Sequence, residues 1–139
     1  MRLKSYTDLE QSKKLAEFLP LESADMHWSN FYPKGLGYSN TFKPSLTAYN
    51  QAIGTYELLK KDYKVEKYKW KMIPCWSLAA LLKIIRSACN YELLSIEENK
   101  IFGVCKLEIS TCRFLTEIYD NELDVCYEMI LKLHKLNIL

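Results

Sequence analysis

Ile73-Pro74-Cys75-Trp76-Ser77-Leu78-Ala79-Ala80-Leu81-Leu82-Lys83-Ile84-Ile85-Arg86 decides how this chain folds, because it is the most apolar segment with clear ends. Pro74 fixes its own φ and biases Ile73 toward extended backbone. Ser77, or Cys75 just ahead of it, stands at a helix start, so the chain is expected to pass from strand to helix here. Leu78, Leu81, Leu82 and Ile85 fall at i, i+3, i+4 and i+7 on one face, which Trp76 joins at the entrance. A helix of about three turns does not persist alone in water, so this face must be buried.

Upstream, Lys64 to Ile73 alternates with a period of two, Tyr68, Trp70 and Met72 against Lys67, Lys69 and Lys71, and predicts a strand leading into that helix. Between Ser45 and Lys61, Leu46, Tyr49, Ile53 and Tyr56 recur at three- and four-residue steps with Ser45 as the cap. A helix is expected there, although Gly54 in its middle costs about 1 kcal/mol against alanine. Ser29 to Lys43 carries Pro33, Gly35 and Gly37 and reads as a loop with turns. Trp28, Phe31, Tyr32, Tyr38 and Phe42 crowd this region, either to pin a long loop to the body or to form an aromatic recognition surface. At the start of the chain, Thr7-Asp8-Leu9-Glu10 has the spacing of a capping box opened by Thr7. Leu9, Leu15, Ala16 and Phe18 face inward on that helix, Pro20 stops it, and a short helical turn follows at Glu22 to Met26.

Downstream, the pattern is a meander. Tyr91 to Ile96 is one strand, Glu97 to Lys100 a turn, and Ile101 to Ile109 a second strand in which Gly103 marks a bulge. Ser110-Thr111 reverses the chain into a third strand, Arg113 to Tyr119. A closing helix runs from Glu122 to Leu136, capped by Asn121, with Glu122 and Asp124 in the first turn where the helix dipole favours them. Its apolar stripe is Leu123, Cys126, Met129, Ile130, Leu133 and Leu136. The expected fold is α+β: a small antiparallel sheet of three to four strands, two main helices packed on one face, and a short N-terminal helix.

At 139 residues, 49% apolar and 26% charged, the composition is that of one soluble globular domain, 1–139, able to bury about two thirds of its unfolded surface. A net charge of +2 is too mild to imply nucleic acid by itself. Cys75, Cys89, Cys105, Cys112 and Cys126 are odd in number and show no C-x-x-C spacing. With no signal-like N-terminus and no apolar run near the roughly 20 residues that span a bilayer, reduced thiols in a cytoplasmic protein are expected.

Ile-Pro-Cys-Trp-Ser-Leu-Ala-Ala-Leu-Leu at 73–82 and Asp-Asn-Glu-Leu-Asp-Val-Cys-Tyr-Glu-Met-Ile-Leu-Lys-Leu-His at 120–134 resemble a family of small uncharacterised proteins from gut anaerobes and their prophages or other mobile elements. That family has a Pro-x-Trp-Ser-Leu-x-x-Leu-Leu stretch before a short sheet and an Asn-Pro-x-Asp-Ala-x-x-Glu-Met-Ile helix at its end. Here Glu122 stands for its usual proline and Val125 for its alanine. The resemblance, over the last half of the chain and Tyr6 to Lys14, implies a shared fold and mobile-element ancestry and carries no activity.

Catalytic constellations are thin. Cys75 at a helix start with His27 or His134 as base is the one nucleophile worth placing, and nothing local joins them. His27 and His134 are too few for a metal site, Cys105 and Cys112 flank a hairpin as two core thiols, and no cofactor motif is present. Lys60, Lys61, Lys64, Lys67, Lys69 and Lys71 interleave with Tyr63, Tyr68 and Trp70, as in a single-strand nucleic-acid groove, but alternation sets the rings and the lysines on opposite faces. The sequence reading is a non-enzymatic protein that binds another macromolecule, with Trp28, Phe31, Tyr32 and Tyr38, and with Lys67, Lys69 and Lys71, as its candidate contacts. A protein partner comes first, a nucleic acid on the Lys60 to Lys71 surface second, and an enzyme third.

Overall fold

The computed structural model describes residues 4–32, 37–63, 71–88, 93–97, 100–107, 110–115 and 121–139. Its helices are α1 (Leu9–Ala16), α2 (Tyr49–Tyr63), α3 (Leu78–Ala88) and α4 (Glu122–Lys135). Its strands are β1 (Met26–Tyr32), β2 (Gly37–Ser45), β3 (Met72–Cys75), β4 (Leu93–Glu97), β5 (Lys100–Leu107) and β6 (Ser110–Leu115). The fold is α+β, with an antiparallel meander β4-β5-β6 as expected and a further antiparallel sheet in the order β2-β1-β3. The chain divides into two compact units, Asp8–Trp76 with the β2-β1-β3 sheet, and Met1–Thr7 plus Ser77–Leu139 with the meander.

In the first unit, α1 opens one residue later than expected. Asp8, not Thr7, is the N-cap: its Oδ1 accepts from the Gln11 backbone N–H at 2.8 Å, and the Gln11 Oε1 accepts from the Asp8 N–H at 3.1 Å. Asp8 has its glutamine at the spacing that Thr7 shares with Glu10, and aspartate is the stronger cap. Leu15 is fully buried, and Leu19 beyond the helix nearly so. A 3-10 turn at Leu21–Ser23 follows, and the strand β1 already begins at Met26, where the end of a helical turn is expected.

The stretch read as a loop is in fact a β-hairpin, with its turn signals confined to 33–37. Trp28, Phe31, Tyr32, Tyr38 and Phe42 are β-formers on either side of Pro33, Gly35 and Gly37, and a strand pair bounded by such a cluster is a hairpin. As β2 runs on to Ser45, that residue cannot cap a helix; its Oγ accepts from the Thr47 N–H at 3.4 Å. Leu46 is 87% exposed and α2 starts at Tyr49, with Ala52 buried on it. Of the strand expected from Lys64, Met72 to Cys75 is β3, while 64–70 lie outside the described residues. Trp76 is fully buried, its Nε1 donating to Ser23 Oγ at 2.9 Å. A buried indole N–H needs such an acceptor.

In the second unit, Ser77 caps α3, its Oγ accepting from the Ala80 N–H at 3.2 Å. Leu81 and Ile85 are fully buried, and Leu78 and Leu82 are half-buried beside them. The segment before Asp8 serves the same helix end: Leu78 donates its N–H to the Ser5 carbonyl at 2.9 Å, and Tyr6 bridges Ser77. Asn121 caps α4, its Oδ1 accepting from the Asp124 N–H at 2.9 Å. Lys4 pairs with Asp124 at 2.9 Å, and Asn121 Nδ2 donates to the other carboxylate oxygen. Helix α4 packs against α3 and β5. Leu123, Cys126, Met129, Ile130 and Leu133 are fully buried as expected, together with Val125.

Leu136 is the exception on that stripe, at 46% exposed. The helix ends before it: Ile138 N–H donates to Leu133 O at 2.9 Å and Asn137 N–H to His134 O at 3.0 Å, with Asn137 at φ 60°. This is a Schellman closure with asparagine in the left-handed position, and it turns the chain off the helix axis.

The meander register moves strand boundaries and removes the expected bulge. Leu107 pairs with Ser110, so Ser110-Thr111 belongs to β6, and 108–109 lie outside the described residues. Glu97 pairs with Lys100, so the first strand, described from Leu93, ends at Glu97 rather than Ile96, while 91–92 lie outside the described residues. Gly103 pairs with Leu94 on one side and Phe114 on the other without a break in register, so it marks no bulge. The end of the third strand expected to Tyr119 lies outside the described residues.

Two stability predictions follow from this packing. Leu81→Ala and Leu133→Ala should each cost about 2 to 5 kcal/mol, whereas Leu136→Ala stays within about 0.5 kcal/mol of the parent in denaturant unfolding. Gly54 is exposed within α2, and a Cβ there meets nothing within 4 Å. Gly54→Ala should therefore raise the stability by about 0.5 to 1 kcal/mol, read as a higher denaturant midpoint at unchanged slope.

Candidate functional site

Strand β1 lies between β2 and β3, and its register sets what surrounds each aromatic residue. Trp28 stands opposite Pro44 on one side and Ile73 on the other, so the three share a face of the sheet. Pro44 is exposed, and Trp28 and Ile73 are half-buried. Two residues back along β1 on that face, Met26 and its partner Cys75 are buried. An apolar row thus climbs from the core to the surface across three strands.

Beyond Ser29 the β1–β2 register shifts. Ser29 pairs with Lys43 and Phe31 with Tyr38, so Asn30 alone faces the span Ser39, Asn40, Thr41 and Phe42. An insertion of this kind bends a strand and re-aims its side chains. On its other side Asn30 makes up for the interruption. It is buried; its Oδ1 accepts from the Lys71 N–H at 2.7 Å, and its N–H donates to the Lys71 carbonyl at 3.4 Å. A buried carboxamide thus fixes where β3 begins and, with it, Ile73 beside Trp28.

The sequence-predicted contacts are distributed unevenly on this frame. Trp28 is on the apolar row, and Phe31 with Tyr38 and Tyr32 with Gly37 are the pairs at the far end of the hairpin. Lys71 is exposed at the approach to β3, while Lys67 and Lys69 lie outside the described residues. Asn30 was not singled out from sequence; its one signal is a short polar residue set between β-formers.

The geometry separates the residues of the nucleophile reading. Cys75 is in register with Met26 and His27 with Pro74, and neighbours along a strand point to opposite faces, so the thiol and the imidazole are on different sides of the sheet. His27 is instead fixed by donating its Nδ1–H to the Thr47 carbonyl at 2.7 Å, an acceptor that settles which ring nitrogen carries the proton. His134 belongs to the other unit, where its Nδ1–H donates to the Leu139 carbonyl at 2.9 Å. Cys126 is a fully buried thiol whose pKa is pushed up to about 12, chiefly by desolvation and then by Glu122, against an opposing effect of Arg86. It is a packing residue and a poor nucleophile at neutral pH. Among the described residues no group of three or more His, Cys, Asp or Glu is placed to hold a metal ion, and no helix is long and apolar enough to cross a membrane.

No protein-family model, curated protein or solved structure matches the chain.

The hairpin can therefore offer a partner an apolar strip with aromatic residues at its end, held by one buried amide. Asn30→Ala removes the acceptor of the Lys71 N–H, a hydrogen bond whose net loss costs about 0.5 to 1.5 kcal/mol. The expected outcome is destabilisation in that range, with faster hydrogen exchange at Met72 to Cys75 than in the parent.

Proposed function

We propose that this chain acts by binding another protein through the β1–β2 hairpin, with Trp28 at the centre of the contact. The observation that carries the reading is the Pro44–Trp28–Ile73 row, an apolar strip across three strands in which Trp28 and Ile73 are half-buried and Pro44 is exposed. Aromatic anchors on a rigid frame are what protein interfaces concentrate their binding energy in, and a tryptophan at such a position typically accounts for 2 kcal/mol or more. Phe31, Tyr32 and Tyr38 stand further along the same hairpin, Phe31 in register with Tyr38. The role is that of a non-enzymatic accessory protein, in keeping with the mobile-element ancestry that the sequence resemblance implies.

The test is affinity capture from a lysate of the encoding organism, run with the parent and with Trp28→Ala, before and after nuclease treatment. A protein retained after nuclease treatment should be lost with Trp28→Ala, at roughly 30-fold weaker binding once the partner is purified, while circular dichroism shows the variant folded. An association abolished by nuclease, steeply salt-dependent and removed by the triple variant Lys67→Gln, Lys69→Gln, Lys71→Gln would instead support nucleic-acid binding.

A further inference from the structure

The meander register sets Cys105 on its central strand directly opposite Cys112 on β6. We propose that these two residues are a reversible dithiol–disulfide pair, oxidised across the β5–β6 ladder by a small-molecule disulfide of the glutathione class.

Directly opposed residues of an antiparallel pair have Cα atoms about 4.5 or 5.5 Å apart, depending on whether they exchange hydrogen bonds. Both separations lie inside the span of about 4.4 to 6.8 Å that a disulfide bridges. Such residues also share a face, so the link needs no change of register. The pairing around them is continuous from Phe102 with Leu115 to Leu107 with Ser110, which fixes the juxtaposition from both sides. The other described cysteines have no such arrangement: Cys75 is opposite Met26, Cys126 is on α4, and the two belong to different compact units.

The reaction balances with the oxidant named. One protein thiolate attacks a sulfur of oxidised glutathione, forming a mixed disulfide and releasing one glutathione thiolate. The second cysteine then attacks the protein-side sulfur of that mixed disulfide, forming the Cys105–Cys112 bond and releasing the second glutathione. Two electrons pass from the protein to the oxidant, and the two thiol protons end on the two glutathione molecules. Excess reduced glutathione drives the same steps backward. The bond would lock the β5–β6 ladder, and β5 is the strand against which α4 packs.

The experiment equilibrates the full folded chain with oxidised and reduced glutathione at several ratios, quenches with acid, alkylates the remaining thiols and maps peptides without reduction. The expected result is a loss of two hydrogens, a Cys105 peptide linked to the Cys112 peptide, and full reversal by reduced glutathione. Cys105→Ser and Cys112→Ser should each show no link and carry a glutathione adduct on the remaining partner. Cys126→Ala should leave the link unchanged. If Cys105 and Cys112 both stay alkylatable, stop at glutathione adducts in the parent, or link to Cys89, the proposal fails. Should a serine variant not fold, mapping of the parent decides alone: a link formed equally with other cysteines in denaturant and in native buffer would also overturn it.

Discussion

Pro74 has no N–H to give to a β-ladder, and the architecture of the first sheet follows from that missing donor. A proline is tolerated in a sheet on an edge strand, with its ring nitrogen turned away from the ladder. β3 is such a strand: Pro74 faces His27 on β1, and no described strand lies on its other side. The sheet grows only in the other direction, so β1 becomes the middle strand and the aromatic segment after the proline–glycine cluster must return as β2. One residue beyond Cys75 the chain leaves the ladder, buries Trp76 on Ser23, and uses Ser77 to open α3.

Helices α3 and α4 were legible in the sequence because each has its start written into a side chain and its inner face written into a 3.6-residue period. Ser77 and Asn121 both accept the N–H of the third helical residue, and Leu81, Ile85, Met129, Ile130 and Leu133 are buried where the period puts them. The failures are at places where a long-range contact outranks local pattern. Leu46 fits a helical spacing, but Ser45 is already committed to β2 through its pairing with His27, a partner eighteen positions earlier that periodicity cannot see. Leu136 continues the stripe of α4, but the left-handed Asn137 ends the helix first.

The aromatic hairpin was legible as composition and illegible as structure. Three turn-forming residues within five positions were enough to make fifteen residues read as loop, although the β-formers on either side already described two strands and their connection. Asn30 was hidden for a different reason. An asparagine inside a strand disfavours the strand on propensity alone, and what compensates it is the backbone of Lys71, forty-one residues away. A buried amide that accepts the N–H just ahead of a strand is a property of the fold rather than of any window of sequence.

That amide also bears on how the hairpin would meet the proposed partner. A three-stranded sheet with an outer strand as long as β2 offers two kinds of contact, strand addition along its edge or side-chain recognition on its face. Strand addition needs a run of backbone donors and acceptors in register, and β2 lacks it at two points. Its pairing with β1 is offset between Tyr38 and Lys43, which bends the edge, and near its end Pro44 supplies no donor while the exposed Lys43 beside it adds a charge that opposes edge-to-edge association. The face is not blocked in this way. Trp28 is held between Pro44 and Ile73, and Ile73 is held in turn by the register that Asn30 imposes through Lys71. The features that spoil the edge for strand addition thus lie beside the apolar row, which makes the face of the sheet, rather than its edge, the surface on which the proposed contact rests.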